Sequence, residues 1–170
     1  MANEPTVNPR GLFDRSTLGQ PFPAVSVTIE RGRIIFFCEV LGECDPLHVD
    51  LAAARAAGHP DLVAPPSFFM AIEADAIGEL KRRGQPTPME RIGCDFRYLL
   101  HGDEAYAYRG QVYAGDTLSV RMRVTDFYDK KGGAMEFATL AFDVEHPERG
   151  VVISATRTLL HRLPALEGAQ

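Results

Sequence analysis

The sequence lacks the features of several protein classes, and these absences narrow its function before any motif is considered. It has no cluster of Lys and Arg, and its 18 basic and 23 acidic residues give a formal charge of −5, which argues against nucleic acid as its main partner. No apolar run approaches the roughly 20 residues of a membrane span. The opening Met-Ala-Asn-Glu-Pro-Thr lacks the basic and then apolar pattern of a signal peptide. We therefore expect a cytoplasmic protein with no membrane partner.

Cysteine is scarce, and motifs for several kinds of chemistry are absent. Cys38, Cys44 and Cys94 are an odd number without a Cys-x-x-Cys pair, which favours reduced thiols. The five histidines show no zinc-motif spacing, so we expect no metal. There is no Gly-x-Ser-x-Gly, no Gly-x-Gly-x-x-Gly and no phosphate loop, which argues against serine-hydrolase, dinucleotide and nucleotide chemistry.

What the sequence does contain is the composition of one ordinary globular domain. Its 170 residues are 45% apolar and 24% charged. Residues 1–27, with four prolines, predict an N-terminal arm lying over the domain. A helix is predicted from Thr28, as its N-cap, to a stop near Gly42, and a long helix after Pro66 that ends before Gly84.

The second half of the sequence alternates between apolar and polar residues, as strands do. The predicted strands cover 92–98, 106–112, 118–124, 137–144 and 151–160, with a hairpin turn at 129–133. The predicted fold class is therefore α+β, with a long central helix wrapped by an antiparallel β-sheet. One domain at 28–163 and a tail at 164–170 complete the predicted organisation.

One loop combines a carboxylate and an imidazole, five residues apart. Glu43 and His48 lie between a helix end and a helix start, where a loop can fold them onto one point. Such a pair can move protons to and from water or a hydroxyl. The alternative is that Glu43 caps or pairs locally and His48 fills a satisfied, half-buried niche.

The same loop resembles a known motif. Gly42-Glu43-Cys44-Asp45-Pro46-Leu47-His48 is similar to the hydratase motif of MaoC-like enzymes, Gly-Asp-x-Asn-Pro-Ile/Leu-His. Stretches at 50–58, 62–68, 101–104, 113–118 and 158–162 resemble one branch, the dehydratase domain related to fungal fatty-acid synthase. The resemblance covers residues 15–163 and implies the hot-dog fold.

The resemblance also implies a reaction, the reversible syn addition of water to a trans-2-enoyl thioester to give the (R)-3-hydroxyacyl thioester. The acyl group is carried on coenzyme A or acyl carrier protein, and no other cofactor is implied. In the family, the motif Asp and His hold the water and move its protons, while a backbone N–H at the start of the long helix polarises the carbonyl. The residues that the resemblance implies are Glu43 and His48 as catalytic residues, and Asp45, Pro66, Ser67 and Phe68 as substrate-binding residues.

Two departures from the family pattern keep a second hypothesis open. Glu43 stands at the Asp position with one extra methylene, and Pro66 stands near the donor position without an N–H. Ser67 still offers a donor. The chain is therefore either a hydratase or dehydratase itself, or a non-catalytic acyl-binding subunit of a heterodimeric dehydratase. A hot-dog thioesterase is a weaker alternative. Since a single sheet leaves an open edge, we expect a homodimer or a heterodimer with another hot-dog chain.

Overall fold

The computed structural model describes residues 8–164. Residues 1–7 of the predicted arm and 165–170 of the predicted tail lie outside the described residues. In chain order the elements are β1 Val25–Thr28, α1 Arg31–Leu41, α2 Pro46–Val49, α3 Leu51–Ala56, α4 Phe69–Arg82, α5 Pro88–Arg91, β2 Leu99–Tyr108, β3 Thr117–Lys130, β4 Met135–His146 and β5 Gly150–Arg162. Two short 3-10 turns, Arg15–Thr17 and Pro66–Phe68, complete them.

The five strands form one antiparallel sheet in the order β1-β3-β4-β5-β2, and α4 packs against it. Helix α4 buries Phe69, Ile72, Ala76 and Leu80, spaced as one helical face. The Phe69 ring meets Phe142 of β4 edge-on, with ring centroids 5.5 Å apart. The predicted α+β architecture, a long helix covered by an antiparallel sheet, is confirmed.

The prediction of a helix beginning at Thr28 was wrong, because a short strand precedes that helix. Val25 and Val27 are buried and alternate with exposed residues, and β1 pairs with β3. Helix α1 begins only at Arg31, with Glu30 as its N-cap. The alternation was present in the sequence, but four residues are too short a run to outweigh the helical spacing that follows. Strand β1 also crosses the predicted domain boundary at residue 28.

The prediction of a strand over 92–98 was also wrong. Thr87 and Glu90 form a reciprocal capping box that starts the one-turn helix α5. The chain then turns at Gly93, whose φ of +68° suits glycine, and the Tyr98 N–H bonds to the Asp95 carbonyl. Strand β2 therefore begins later, at Leu99, and runs to Tyr108.

A buried ion pair joins the central helix to the sheet. Arg157 of β5 donates to Glu73 of α4 through Nη1 at 2.6 Å, and its Nη2 lies 2.6 Å from the second carboxylate oxygen. The same guanidinium donates from Nε to Glu104 of β2 at 2.8 Å. Arg157 and Glu73 are 6% and 4% exposed, so one cation holds two carboxylates largely out of water. Three elements are thereby fixed to one another.

A second buried polar pair fastens the N-terminal arm. Glu136 of β4 accepts hydrogen bonds at Oε1 from the Leu12 N–H at 2.6 Å and from His161 Nδ1 at 2.8 Å. The Asp95 N–H donates to His161 Nε2, so the ring proton resides on Nδ1. The Phe13 ring stacks on His161 with centroids 4.0 Å apart. Residues of the arm thus hydrogen-bond to strands that lie far away in the sequence.

Across residues 8–164, no helix combines the length and the apolar character that crossing a bilayer requires.

We predict that Gly11→Ala will loosen the arm and lower the free energy of unfolding by about 1–3 kcal/mol. A Cβ at Gly11 would lie 2.7 Å from Glu136 Oε2, and the Glu136 side chain is fully buried and cannot retreat. The measurement is urea unfolding followed by circular dichroism.

Gly32→Ala is the matched control, because a Cβ there meets nothing within 4 Å and its φ is not positive. It should leave stability unchanged or raise it by up to about 1 kcal/mol. Equal stability of the Gly11→Ala protein and the wild type would contradict the described seating of the arm.

Candidate functional site

The predicted motif forms the junction between α1 and α2. Helix α1 ends at Gly42, whose φ of +71° lies in the left-handed region, and the Glu43 N–H bonds back to the Cys38 carbonyl. Asp45 caps α2 by accepting from the Leu47 N–H at 2.9 Å. The three residues that follow Gly42, which are Glu43, Cys44 and Asp45, are exposed on the surface.

The Glu43 carboxylate is directed back onto this junction. Its Oε1 accepts a hydrogen bond from the Asp45 N–H at 2.9 Å. Among residues 8–164, no hydrogen bond or ion pair joins Glu43 to His48. The two candidate catalytic residues thus lie on the same junction, but their side chains do not form a pair within this chain. Local capping was the alternative interpretation of Glu43.

His48 is held by a hydrogen bond from α2 to a neighbouring loop. Its Nδ1 lies 2.6 Å from the Val63 carbonyl oxygen, and the Val63 N–H donates to the Leu47 carbonyl at 3.0 Å. Because a carbonyl only accepts, the His48 proton is on Nδ1, and Nε2 keeps a lone pair. The half-buried ring is therefore oriented so that Nε2 can take up a proton.

The long helix begins with residues that cannot donate from their backbones. Pro65 and Pro66 have no N–H, and the Phe68 N–H bonds to the Pro65 carbonyl. Ser67 follows in the first turn, where an N–H has no acceptor within the helix, so it carries the first available backbone donor. Both Pro66 and Ser67 are exposed.

A cavity of about 340 Å³ lies beside this helix start. Its walls are mostly apolar, which suits a hydrocarbon chain rather than a sugar or a nucleotide. The lining residues are Ala64, Pro65, Pro66, Phe68, Phe69, Ile72, Tyr108, Gly110, Gln111, Val112 and Ile153. Pro66 and Phe68 are therefore brought together at the cavity, whereas Ser67 does not line it.

Glu43, Asp45 and His48 do not line the cavity either. The segment that follows α3 connects the two regions. His48 hydrogen-bonds to the Val63 carbonyl, and Ala64, the residue after Val63, lines the cavity. Of the six candidate residues, Glu43, Asp45 and His48 thus form a polar group at the α1–α2 junction, and Pro66 and Phe68 lie at the cavity. Ser67 lies between the two cavity residues in the sequence but does not line the cavity.

Sequence reasoning missed the inner face of β2. Glu104, Tyr106 and Tyr108 alternate along this strand, and the two tyrosines contact α4 and its preceding turn. Glu104 meets Arg157, and the Tyr106 hydroxyl lies 3.5 Å from Met70 Sδ.

The third residue, Tyr108, donates its hydroxyl to the Pro66 carbonyl. Burial, with the Glu104 carboxylate adding to it, raises the pKa of Tyr106 to about 12, and burial also raises the pKa of Tyr108. Both phenols therefore keep their protons at neutral pH. The spacing of two was visible in the sequence, but nothing there indicated the contacts with the helix start.

The three cysteines are unpaired, and they differ in exposure. Cys38 is buried, Cys94 is half-buried and Cys44 is exposed within the motif. Burial raises the pKa of Cys94 to about 11, so its thiol stays protonated. Residues 8–164 contain no group of three or more His, Cys, Asp or Glu arranged to hold a metal ion.

Comparison with known proteins relates the chain to dehydratases. The family model described as FAS1-like, dehydratase domain region, matches residues 16–154. The UPF0336 protein of Streptomyces griseus is 34% identical over 152 residues, which cover 88% of this chain and 95% of that protein.

Two solved structures are similar in fold at lower identity. The MaoC-like dehydratase of Rhodospirillum rubrum gives a TM-score of 0.65 at 19% identity, covering 92% of this chain and 100% of that one. A chain of the HadBC (3R-hydroxyacyl-ACP dehydratase) complex of Mycobacterium tuberculosis gives a TM-score of 0.64 at 20% identity. The match covers 84% of this chain and 96% of that one.

We predict that His48→Ala will lower the free energy of unfolding by about 1–3 kcal/mol, since the buried Val63 carbonyl loses its hydrogen-bond donor. His48→Asn places an amide N–H near the position of Nδ1 and should recover a large part of that loss. Equal losses for both variants in urea unfolding would contradict the described role of Nδ1.

Proposed function

Since the chain belongs to the family of FAS1-like dehydratase domain regions and has the hot-dog fold of MaoC-like proteins, we propose that it serves the hydration and dehydration of acyl thioesters. The reaction interconverts a trans-2-enoyl and an (R)-3-hydroxyacyl thioester carried on coenzyme A or acyl carrier protein. In this reaction the chain is the acyl-binding subunit, and a second hot-dog chain supplies the proton-transfer groups. No further cofactor is needed, because water is the co-substrate.

The observation that carries this proposal is the separation of the apolar cavity from the motif carboxylate. The cavity at the start of α4 offers about 340 Å³ of largely apolar space, enough for an acyl chain. Meanwhile, Glu43 accepts from the Asp45 N–H and does not meet His48 among the described residues. This separation supports a chain that binds the acyl group and leaves proton transfer to a partner.

The chemistry explains why that pair matters. In hydration, a base removes a proton from water, the water oxygen bonds to C3, and a proton is delivered to C2 on the same face of the double bond. Dehydration reverses each step. A base displaced by about 1 Å costs on the order of 10²-fold in rate, and Glu43 is both longer than the family Asp and directed elsewhere.

A partner chain also fits the surface of the protein. Within residues 8–164, strand β2 is an edge of the sheet and pairs only with β5. Next to this edge, Phe96 is 69% exposed and Leu100 is 48% exposed. An unpaired edge beside apolar side chains is a surface that proteins usually cover. The similar HadBC structure is described as a complex.

One observation favours a second candidate, a self-sufficient hydratase. His48 is oriented by the Val63 carbonyl so that Nε2 keeps its lone pair, which is the arrangement a general base requires. In that case the chain would act as a homodimer, with Glu43 released from the Asp45 N–H when substrate binds. A thioesterase remains the third and weakest alternative.

The test is hydration of a short trans-2-enoyl-coenzyme A, followed by loss of the conjugated absorbance. We expect the hydration rate with the purified chain alone to equal the rate in buffer without protein. When the chain is mixed with a MaoC-like chain that has an intact Gly-Asp-x-Asn-Pro-x-His motif, the hydration rate should exceed that of the MaoC-like chain alone by at least about 100-fold.

His48→Asn separates the candidates. The subunit proposal predicts that the mixture stays active with this variant and loses activity when the motif His of the partner is replaced. Hydration by the chain alone, abolished by His48→Asn, would instead establish the self-sufficient hydratase. Release of free coenzyme A thiol would indicate the thioesterase.

A further inference from the structure

The mouth of the apolar cavity is bridged by one hydroxyl. Tyr108 is the last residue of β2 and is 46% exposed, and its hydroxyl donates to the carbonyl of Pro66, which also lines the cavity. Phe68 and Ile72 also line the cavity, and both are buried. An acyl chain that fills the buried part therefore leaves its thioester beside Tyr108.

A thioester carbonyl at this position needs a hydrogen-bond donor. As an enolate oxygen develops during addition of water, a donor aimed at that oxygen lowers the barrier. Pro65 and Pro66 have no N–H to offer. Ser67 does not line the cavity, whereas Tyr108 lines it and carries a hydroxyl. Two lining side chains can donate a hydrogen bond, those of Tyr108 and Gln111, and within residues 8–164 only the Tyr108 donor is oriented by a hydrogen bond of its own.

We propose that the Tyr108 hydroxyl is the hydrogen-bond donor to the substrate's thioester carbonyl, an inference that rests on the proposed acyl-binding function. In the free protein the hydroxyl is donated to the Pro66 carbonyl, and on binding the thioester oxygen replaces that acceptor. Pro66 is exposed, so water satisfies its carbonyl after the exchange. No covalent bond changes in this step, and the proton stays on the phenol oxygen.

The neighbourhood of Tyr108 supports this role. The ring is stacked near Tyr106, with centroids 6.1 Å apart, which limits its movement on the strand. Strand β2 is itself held by the contact of Glu104 with Arg157. A donor on a fixed strand loses little freedom when it binds a carbonyl, which is what preorganised stabilisation requires.

The experiment compares two ligands that differ only in the carbonyl. Decanoyl-coenzyme A is a thioester, and S-decyl-coenzyme A is the thioether of equal chain length. In isothermal titration calorimetry, Tyr108→Phe should weaken binding of the thioester by about 3- to 10-fold. The affinity for the thioether should stay within about twofold of the wild-type value. Tyr106→Phe removes a hydroxyl two residues away, on a residue that does not line the cavity. This variant should leave the affinity for both ligands unchanged.

A spectroscopic readout distinguishes donation from mere packing. The infrared carbonyl band of bound decanoyl-coenzyme A, labelled with ¹³C at the carbonyl, should lie at lower wavenumber in wild type than in Tyr108→Phe. A band that does not move, or equal weakening of both ligands, would overturn the inference and leave acyl binding intact. Failure of the wild-type protein to bind either ligand would instead refute the proposed function, and the inference with it. Thermal unfolding of each variant confirms that it is folded.

Discussion

The contact between Arg157 and Glu73 is the constraint on which the site depends. A guanidinium and a carboxylate buried together add little net stability, because their desolvation offsets much of their attraction. What they do fix is geometry, since Glu73 can reach Arg157 only at one rotation of α4 about its axis. That rotation turns Phe69 and Ile72 toward the sheet. With Glu104 on the same guanidinium, β2 is held at a set distance from the helix start. Tyr108 at the end of β2 and Phe69 and Ile72 of α4 contribute to the cavity wall from these two elements.

The fold was largely predictable from local periodicity. Leu118, Val120, Met122 and Val124 alternate over a long run and became the buried side of β3. The long helix was likewise indicated by its apolar spacing and by the two prolines before it. Periodicity failed where the run was short, as at 25–28, or where local turn signals opposed it, as at 92–98. The alternation of 92–98 was coincidental, because a capping box on Thr87 and the turn at Gly93 outweigh it.

The site was predictable only in its local part. The loop around Glu43 and His48 was identified from a contiguous motif, and its capping geometry is short-range. The partner of His48 lies 15 residues away and the partner of Tyr108 lies 42 residues away, and no spacing in the sequence encodes either distance. Such contacts arise from sheet order and helix rotation, which are properties of the whole domain. In the sequence, a tyrosine at an alternating position of a strand gives the same pattern whether its side chain faces solvent or contacts a helix start.

The attachment of the arm has a consequence for how the chain folds as it is synthesised. The Leu12 N–H bonds to Glu136, 124 residues later in the sequence, and Phe13 stacks on His161, close to the C-terminal end of the described chain. Leu12 and Phe13 are therefore synthesised well before the strands that hold them, and they have these partners only once β4 and β5 exist and are paired. Until then the Phe13 ring lacks the aromatic partner that it stacks on in the folded domain. This part of the arm is made early and ordered late.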